Sequence, residues 1–474
     1  MWTEFTGVIL AEANKFSGKK IIRAKQKKLS LCVGIANRLA MGLAPDELPE
    51  IKAAADFPGA VPADAKRETV SLSLDTRIDR WHSTGVYAAP GDVLTITVPP
   101  AMVAKGYHVR IGVHTDRLWH LDKWDRYPEI SRRFAINATT LTVGNAFGGA
   151  VYIEVPKKTP VGTMAVKIAG GVKMPRYILG KSTPTTWVNL ERTNPAPWAE
   201  IQGKYIIFTV PSKEIRTLAS PKKMIAFWDD VMEAQDDLAG YTSRRTSHER
   251  YTFDKQISAG WMHSGYPLMA FTSWSAKIFN FDRIAKTGDW GCFHEIGHNH
   301  QAIFRGGYNN AWTFDGNTEV TVNIFSAYTY VKAMKKPKLM GHQHWRTDDR
   351  AALEANIRKN FKPGTPYAQQ SHPGRCMFFI HFAYEFGYDT YEKIFAKYWE
   401  LDPKTHPKTN LAKRSLFLEI ASGVTKKNLT EFFTAYELET TDAAKLTVKN
   451  YPKFRPKLKA PTPPTPPEFF PEKK

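Results

Sequence analysis

The pentapeptide His294-Glu295-Ile296-Gly297-His298 constrains this chain more than any other segment. Two histidines four residues apart on an α-helix lie about 40° apart around its axis, so their imidazoles share one face. They can close on a single Zn²⁺ while the intervening Glu295 is directed at a metal-bound water. A helix is therefore predicted here. The pentapeptide alone also fits a buried helix whose histidines are hydrogen-bonded to their neighbours, so the flanks have to decide.

Upstream, Thr287 or Asp289 can cap a helix, and Gly306-Gly307 can end it in a left-handed turn. Gly297 weakens a helix relative to alanine, which makes sense where another backbone or a substrate comes close. A catalytic zinc needs a third protein ligand and one open position. A histidine six residues beyond His298 is excluded, because positions 301 and 304 are Gln301 and Phe304. His300 points about 200° away from His298 around the helix. The following segment offers a carboxylate instead. Asp315 or Asn317 reads as an N-cap, residues 318–335 read as a buried helix, and Glu319 falls in its first turn. Glu319 is the candidate third ligand, although a first-turn glutamate also suits the helix dipole. Asn323, one turn further on the same face, can hydrogen-bond a ligand histidine from behind and fix its tautomer.

The run from Gly291 to Tyr328 resembles the enhancin-like peptidase family, a gluzincin group in which HExxH is followed, after a gap, by Glu. The likeness extends through residues 81–91, 111–116, 195–200 and 263–267, and so covers roughly residues 81–335. It implies a zincin-like domain, one Zn²⁺ per chain, and an endopeptidase acting on O-glycosylated, mucin-like protein. With such a ligand set Glu295 takes a proton from the attacking water and returns it to the leaving amine. A partner for the developing oxyanion is expected from Tyr308, Tyr266 or His263, each of which also suits a packing role. Trp312 reads either as an exposed indole stacking on a sugar or as an interhelix packing residue, and Arg375 is a weaker candidate for the same pocket. Residues 257–269 read as extended segments, with Pro267 suited to an edge strand that can pair with a peptide substrate. Two other functions fit the same motifs. One is a metallopeptidase without glycan dependence. The other is a non-catalytic glycoprotein- or channel-binding protein, as the vertebrate TRP-channel-associated factors that resemble this family are; the presence of Glu295 argues against it.

With 474 residues, 42% of them hydrophobic, the chain can bury several cores. An α+β architecture is expected in four parts. Residues 1–65 read as a basic, partly helical extension with a Pro- and Ala-rich linker, and residues 66–164 as a β-sandwich module. Residues 165–450 read as the gluzincin metallopeptidase domain, with a mostly helical C-terminal part, and residues 451–474 as a Pro-rich tail. Strands are predicted near 92–98, 107–113 and 205–210. Helices are predicted after Lys222 and near 375–398 and 411–421, the last two packing behind the zinc helices. No apolar run of about 18 residues exists, so no membrane span is expected. Cys32, Cys292 and Cys376 are too few for a disulfide framework or a thiolate zinc site. Sixty-six Lys and Arg against 46 Asp and Glu give a net charge of +20, a field that attracts polyanions such as acidic mucin-type glycans. No nucleic-acid module accompanies it, and a monomer is expected. Residues 1–5 show no secretory signal. The extracellular or cell-surface location implied by the resemblance and a cytoplasmic one both stay open.

Overall fold

The computed structural model describes residues 2–17, 19–336, 350–458 and 461. The Pro-rich stretch from residue 462 onward lies outside the described residues. Two compact units divide the chain: Met1–Asp229 with Thr246–Ile284, and Asp230–Arg245 with Ala285–Lys474.

The first unit is β-rich. Strand Val93–Thr97 alternates, with Leu94 and Ile96 buried and Val93, Thr95 and Thr97 exposed, as a half-buried strand must. Its neighbours form an eight-stranded sheet whose course is set by one long strand, Thr163–Lys173. The first part of that strand pairs with Glu68–Asp75 and Val93–Thr97. After a bulge at Gly170, where φ is 96°, Val172 and Lys173 pair with Tyr87 and Val86 of Arg80–Ala88. A glycine is needed there because φ is in the left-handed region and a Cβ would meet the Val93 carbonyl at 2.8 Å. The strand thus passes from one half of the sheet to the other. The expected sandwich is instead a sheet rolled nearly into a barrel around Leu94, Ile96, Val109, Ile111, Val151 and Ile168.

The Pro- and Ala-rich stretch read as a linker is packed. Trp198 Nε1 donates to the Pro58 carbonyl at 2.7 Å, Tyr87 Oη donates to the Gly59 carbonyl at 3.0 Å, and the Phe57 ring lies 5.9 Å from that of Trp198. Helix Lys27–Gly42 buries Val33, Ala36 and Ala40 in the same core.

A second sheet of six strands follows, ordered Arg176–Ile178, Trp198–Gln202, Ile206–Pro211, Glu249–Asp254, Leu268–Phe271 and Met262–His263. One of its two edge strands is Met262–His263, antiparallel to Leu268–Phe271. Pro267 is not in that edge strand but in the connection just before Leu268, where its missing N–H removes no ladder bond.

The second unit is helical. Helices Trp290–Ile303 and Thr318–Lys332 are followed by His372–Phe386, Asp389–Trp399 and Asn410–Thr425. The single stretch predicted near 375–398 is broken at Gly387, with φ of 80°. The later helices pack behind the first pair through aromatic rings. Phe325 stacks on Phe395 at 5.7 Å, and Phe314 contacts Phe379 at 6.1 Å and Phe417 at 5.9 Å. Among the described residues no helix is long and apolar enough to cross a membrane.

Candidate metal centre

Helix Trp290–Ile303 begins at Asp289, whose side chain accepts from the Cys292 N–H at 3.2 Å. It is followed by Gly306 in a left-handed conformation with φ of 92°. Gly297 explains itself: a Cβ there would lie 3.0 Å from both Phe325 Cβ and Val322 Cγ2 of the next helix. The two helices are in close apposition at the turn that carries the histidines.

The next helix starts at Thr318 after Asn317, which makes no side-chain cap and instead donates to Tyr367 Oη at 3.0 Å. Its entry loop is held from two sides. Arg414 Nη1 donates to both Asp315 carboxylate oxygens at 2.8 and 2.9 Å, and Arg375 Nη1 donates to the Asp315 carbonyl at 2.6 Å. Arg375 therefore pins the loop that aims Glu319, rather than presenting its charge to a sugar.

His294, His298 and Glu319 come together. One nitrogen from each imidazole and one carboxylate oxygen lie within 4.8 Å of one another. His294 Nε2 is 3.1 Å from Glu319 Oε2, and His298 Nε2 is 3.3 Å from Glu319 Oε1. The far sides of both rings are occupied. Asn323 Oδ1 accepts from His294 Nδ1 at 2.9 Å and from Trp290 Nε1 at 2.9 Å, while its Nδ2 donates to the Glu319 carbonyl at 2.8 Å. An indole N–H only donates and a carbonyl only accepts, so this amide has one possible orientation. Gln301 does the same for His298: its Oε1 accepts from Nδ1 at 2.6 Å, and its Nε2 donates to Thr318 O and Thr321 Oγ1, each at 2.9 Å. In both histidines Nδ1 carries a proton and Nε2 faces the carboxylate, donating to it when the ring is protonated and free to give a lone pair to a cation when the ring is neutral. That is the arrangement a Zn²⁺ site of two imidazoles and one carboxylate requires, so the residues fit the metal.

The three groups are also coupled electrostatically. Hydrogen bonds from His294 and His298 hold the Glu319 carboxyl well below the usual range. Burial opposes protonation of His294, but its bonds to Glu319 and Asn323 outweigh that and raise its pKa. The Glu319 side chain is 62% exposed against 8% for His298, so the group opens to solvent on the carboxylate side. Glu295, half-buried, follows His294 on the same helix.

The other expected residues divide. Tyr308 stands edge-on to His298, ring centroids 5.9 Å apart, and is 41% exposed. Trp312 is a correction: it is 1% exposed and packed against Phe304, Phe395 and Phe325, so it has no open face for a sugar. His263 and Tyr266 belong to the first unit. There His263 Nε2 meets Asp116 Oδ2 at 2.8 Å, and Arg80 lies 4.5 Å over the Tyr266 ring. Sequence reasoning missed Gln301, although its i,i+3 spacing from His298 could have shown it. It also missed Arg414 and His372, whose Nε2 is 2.9 Å from the Glu319 carbonyl; no local pattern marks either.

Residues 170–437 match the family model of peptidase M60, enhancin and enhancin-like, and residues 63–169 match the N-terminal domain of M60-like peptidases. The chain belongs to this enhancin-like peptidase family. It is 32% identical over 371 residues to the TRPM8 channel-associated factor homolog of Xenopus laevis, covering 78% of this chain and 40% of that protein. The chain thus spans about two fifths of the length of the curated relatives it matches. Among solved structures it is similar to a metallopeptidase in complex with Tn antigen (TM-score 0.61, 17% identity, 80% and 74% of the two chains covered). It is also similar to the catalytic domain of Clostridium perfringens ZmpC in complex with the sialyl T antigen (TM-score 0.60, 15% identity, 82% and 80% covered). These two likenesses show the shared fold.

Proposed function

We propose that this chain is a zinc endopeptidase that cuts O-glycosylated, mucin-like protein outside the cell. The observation that carries the reading is the convergence of His294, His298 and Glu319 with both Nδ1 atoms satisfied from behind. A zinc ion bound by these three side chains would lower the pKa of a coordinated water and polarise a carbonyl oxygen. Glu295 is the general base: it takes the proton of the attacking water and returns it to the leaving amine. Tyr308, beside His298, donates to the oxygen on which negative charge develops. The carboxylate-side opening is where an extended peptide would enter. Complexes of similar metallopeptidases with Tn and sialyl T antigens support a substrate bearing such sugars.

A second reading, a non-catalytic partner protein, is favoured by the 32% identity to a TRPM8 channel-associated factor homolog. One experiment separates the two. A defined O-glycopeptide and its unglycosylated twin are incubated with the wild type and with Glu295→Gln. Cleavage of the glycopeptide alone is expected, falling about 100- to 10,000-fold in Glu295→Gln. Cutting of the bare twin would remove the glycan dependence, and no cleavage of either peptide by the wild type would favour the binder.

A further inference from the structure

The β-rich unit holds a pocket whose lining is rich in arginine. It encloses about 410 Å³ and is lined by Arg110, Arg117, Arg132 and Arg133, with Glu129 and Ser131. Its volume lies in the range of small-molecule pockets. Arg110 on strand His108–Ile111 sits directly opposite Arg133 on strand Arg132–Ala135, a like-charge pairing that costs stability by itself. Glu154 holds the two together by accepting from the Nε of each. Arg110 is further fixed by the Trp81 ring, 4.4 Å away. Among the described residues only Nε of Arg110 and of Arg133 is used in this way, so their terminal amino groups stay available as forked donors.

Arg117 at the rim pairs with Glu129 at 3.0 Å. Arg132 donates to the carbonyls of Gly144 and Leu43 rather than to a carboxylate. Two carboxylates, Glu129 and Glu154, therefore answer four guanidinium groups. The rim is rigid as well: buried Asn37 donates to the Glu129 carbonyl at 2.6 Å and accepts from the Glu129 N–H at 2.9 Å.

We propose that this pocket binds an acidic sugar, its carboxylate or sulfate held by the arginine forks and its hydroxyls by Glu129 and Ser131. Guanidinium groups match such anions bidentately, and an excess of them in a concave wall concentrates positive potential. Glu129 decides against a bare anion, because a carboxylate beside the arginines repels phosphate yet accepts hydroxyl protons. The site stands apart from the peptidase chemistry, and binding is read without cleavage, so the failure of either leaves the other intact.

The test is calorimetric titration of the full chain with sialyllactose, a 6-sulfated N-acetylglucosamine, neutral lactose, inorganic phosphate and a single-stranded oligonucleotide. At least one acidic sugar should bind about tenfold or more tightly than lactose and phosphate, as charge-assisted hydrogen bonds imply. Sialyllactose alone would identify the carboxylate as the recognised group, the sulfated sugar alone the sulfate, and both their shared chemistry. Arg133→Gln or Arg117→Gln should weaken that binding about tenfold. Arg117 is 71% exposed, so its variant folds whatever becomes of the other, as a thermal melt verifies. No preference over lactose, phosphate bound as tightly as the sugars, tighter binding of the oligonucleotide, or unchanged affinity in both variants would overturn the proposal.

Discussion

Each compact unit holds a cluster of ionisable side chains, and the two are built on opposite plans. In the β-rich unit Arg250 and Glu200 are 0% and 1% exposed and bonded to each other. The guanidinium also donates to Ser83 Oγ at 2.9 Å and to Thr209 Oγ1 at 3.2 Å, and lies 4.6 Å over the Tyr152 ring. The opposite charges are paired inside that cluster, beside a second buried guanidinium, that of Arg176, and the pair ties the strands together. In the helical unit, two imidazole Nε2 atoms and a carboxylate turn toward one another while Asn323 and Gln301 occupy the imidazole N–H groups behind them. Such a group is balanced by a cation. The contrast teaches that polar residues around a site are diagnostic by where they point: in the first cluster they join the charges, and in the second they turn the ligands outward.

That contrast makes measurable claims. Glu200→Gln leaves the Arg250 charge buried without its carboxylate and should destabilise the chain by about 3–5 kcal/mol. Denaturant unfolding reads this directly, and a loss below about 1 kcal/mol would break the comparison. His114, in the same unit, sharpens it. Burial, with Phe57 4.7 Å and Trp198 4.5 Å away, pushes its imidazole down to about 4. The unfolded chain, with an ordinary histidine pKa of about 6.5, takes up the proton first. The stability His114 contributes is therefore complete above about pH 6.5 and lost as pH falls towards 4, by up to about 3 kcal/mol. His114→Gln should flatten the fall in melting temperature across that window, and an unchanged slope would count against the assignment. In the other cluster the loss should appear in binding. Asn323→Ala should lower zinc affinity about 10- to 100-fold, measured by competition with a chelating dye; unchanged affinity would mean that the amide does not orient His294.

Much of the centre was legible because its information is local. The two histidines share a helix face by spacing alone, Asp289 and Gly306 bound that helix as read, and Asn323 follows Glu319 by one turn. Strands near 93–97 and 206–211 showed in their residue patterns. What stayed hidden depends on long-range pairing or on an isolated side chain. The rolled sheet arises because Thr163–Lys173 changes partners at Gly170, which no single segment encodes. Trp312 carries no periodic signal to say whether it faces rings or solvent, and Phe395, 83 positions later, decides it. The packed stretch around Phe57 looks like a linker until Trp198 and Tyr87 are seen to bond its carbonyls.

The claim on which the rest depends is that one zinc is held by His294, His298 and Glu319. Zinc content per chain, measured by mass spectrometry after dialysis against weak chelator for the wild type and for Glu319→Ala, tests it most directly. One zinc per wild-type chain is expected, with a deficient variant that still melts cooperatively. A wild type that retains no zinc, or a variant that retains as much as the wild type, would contradict it.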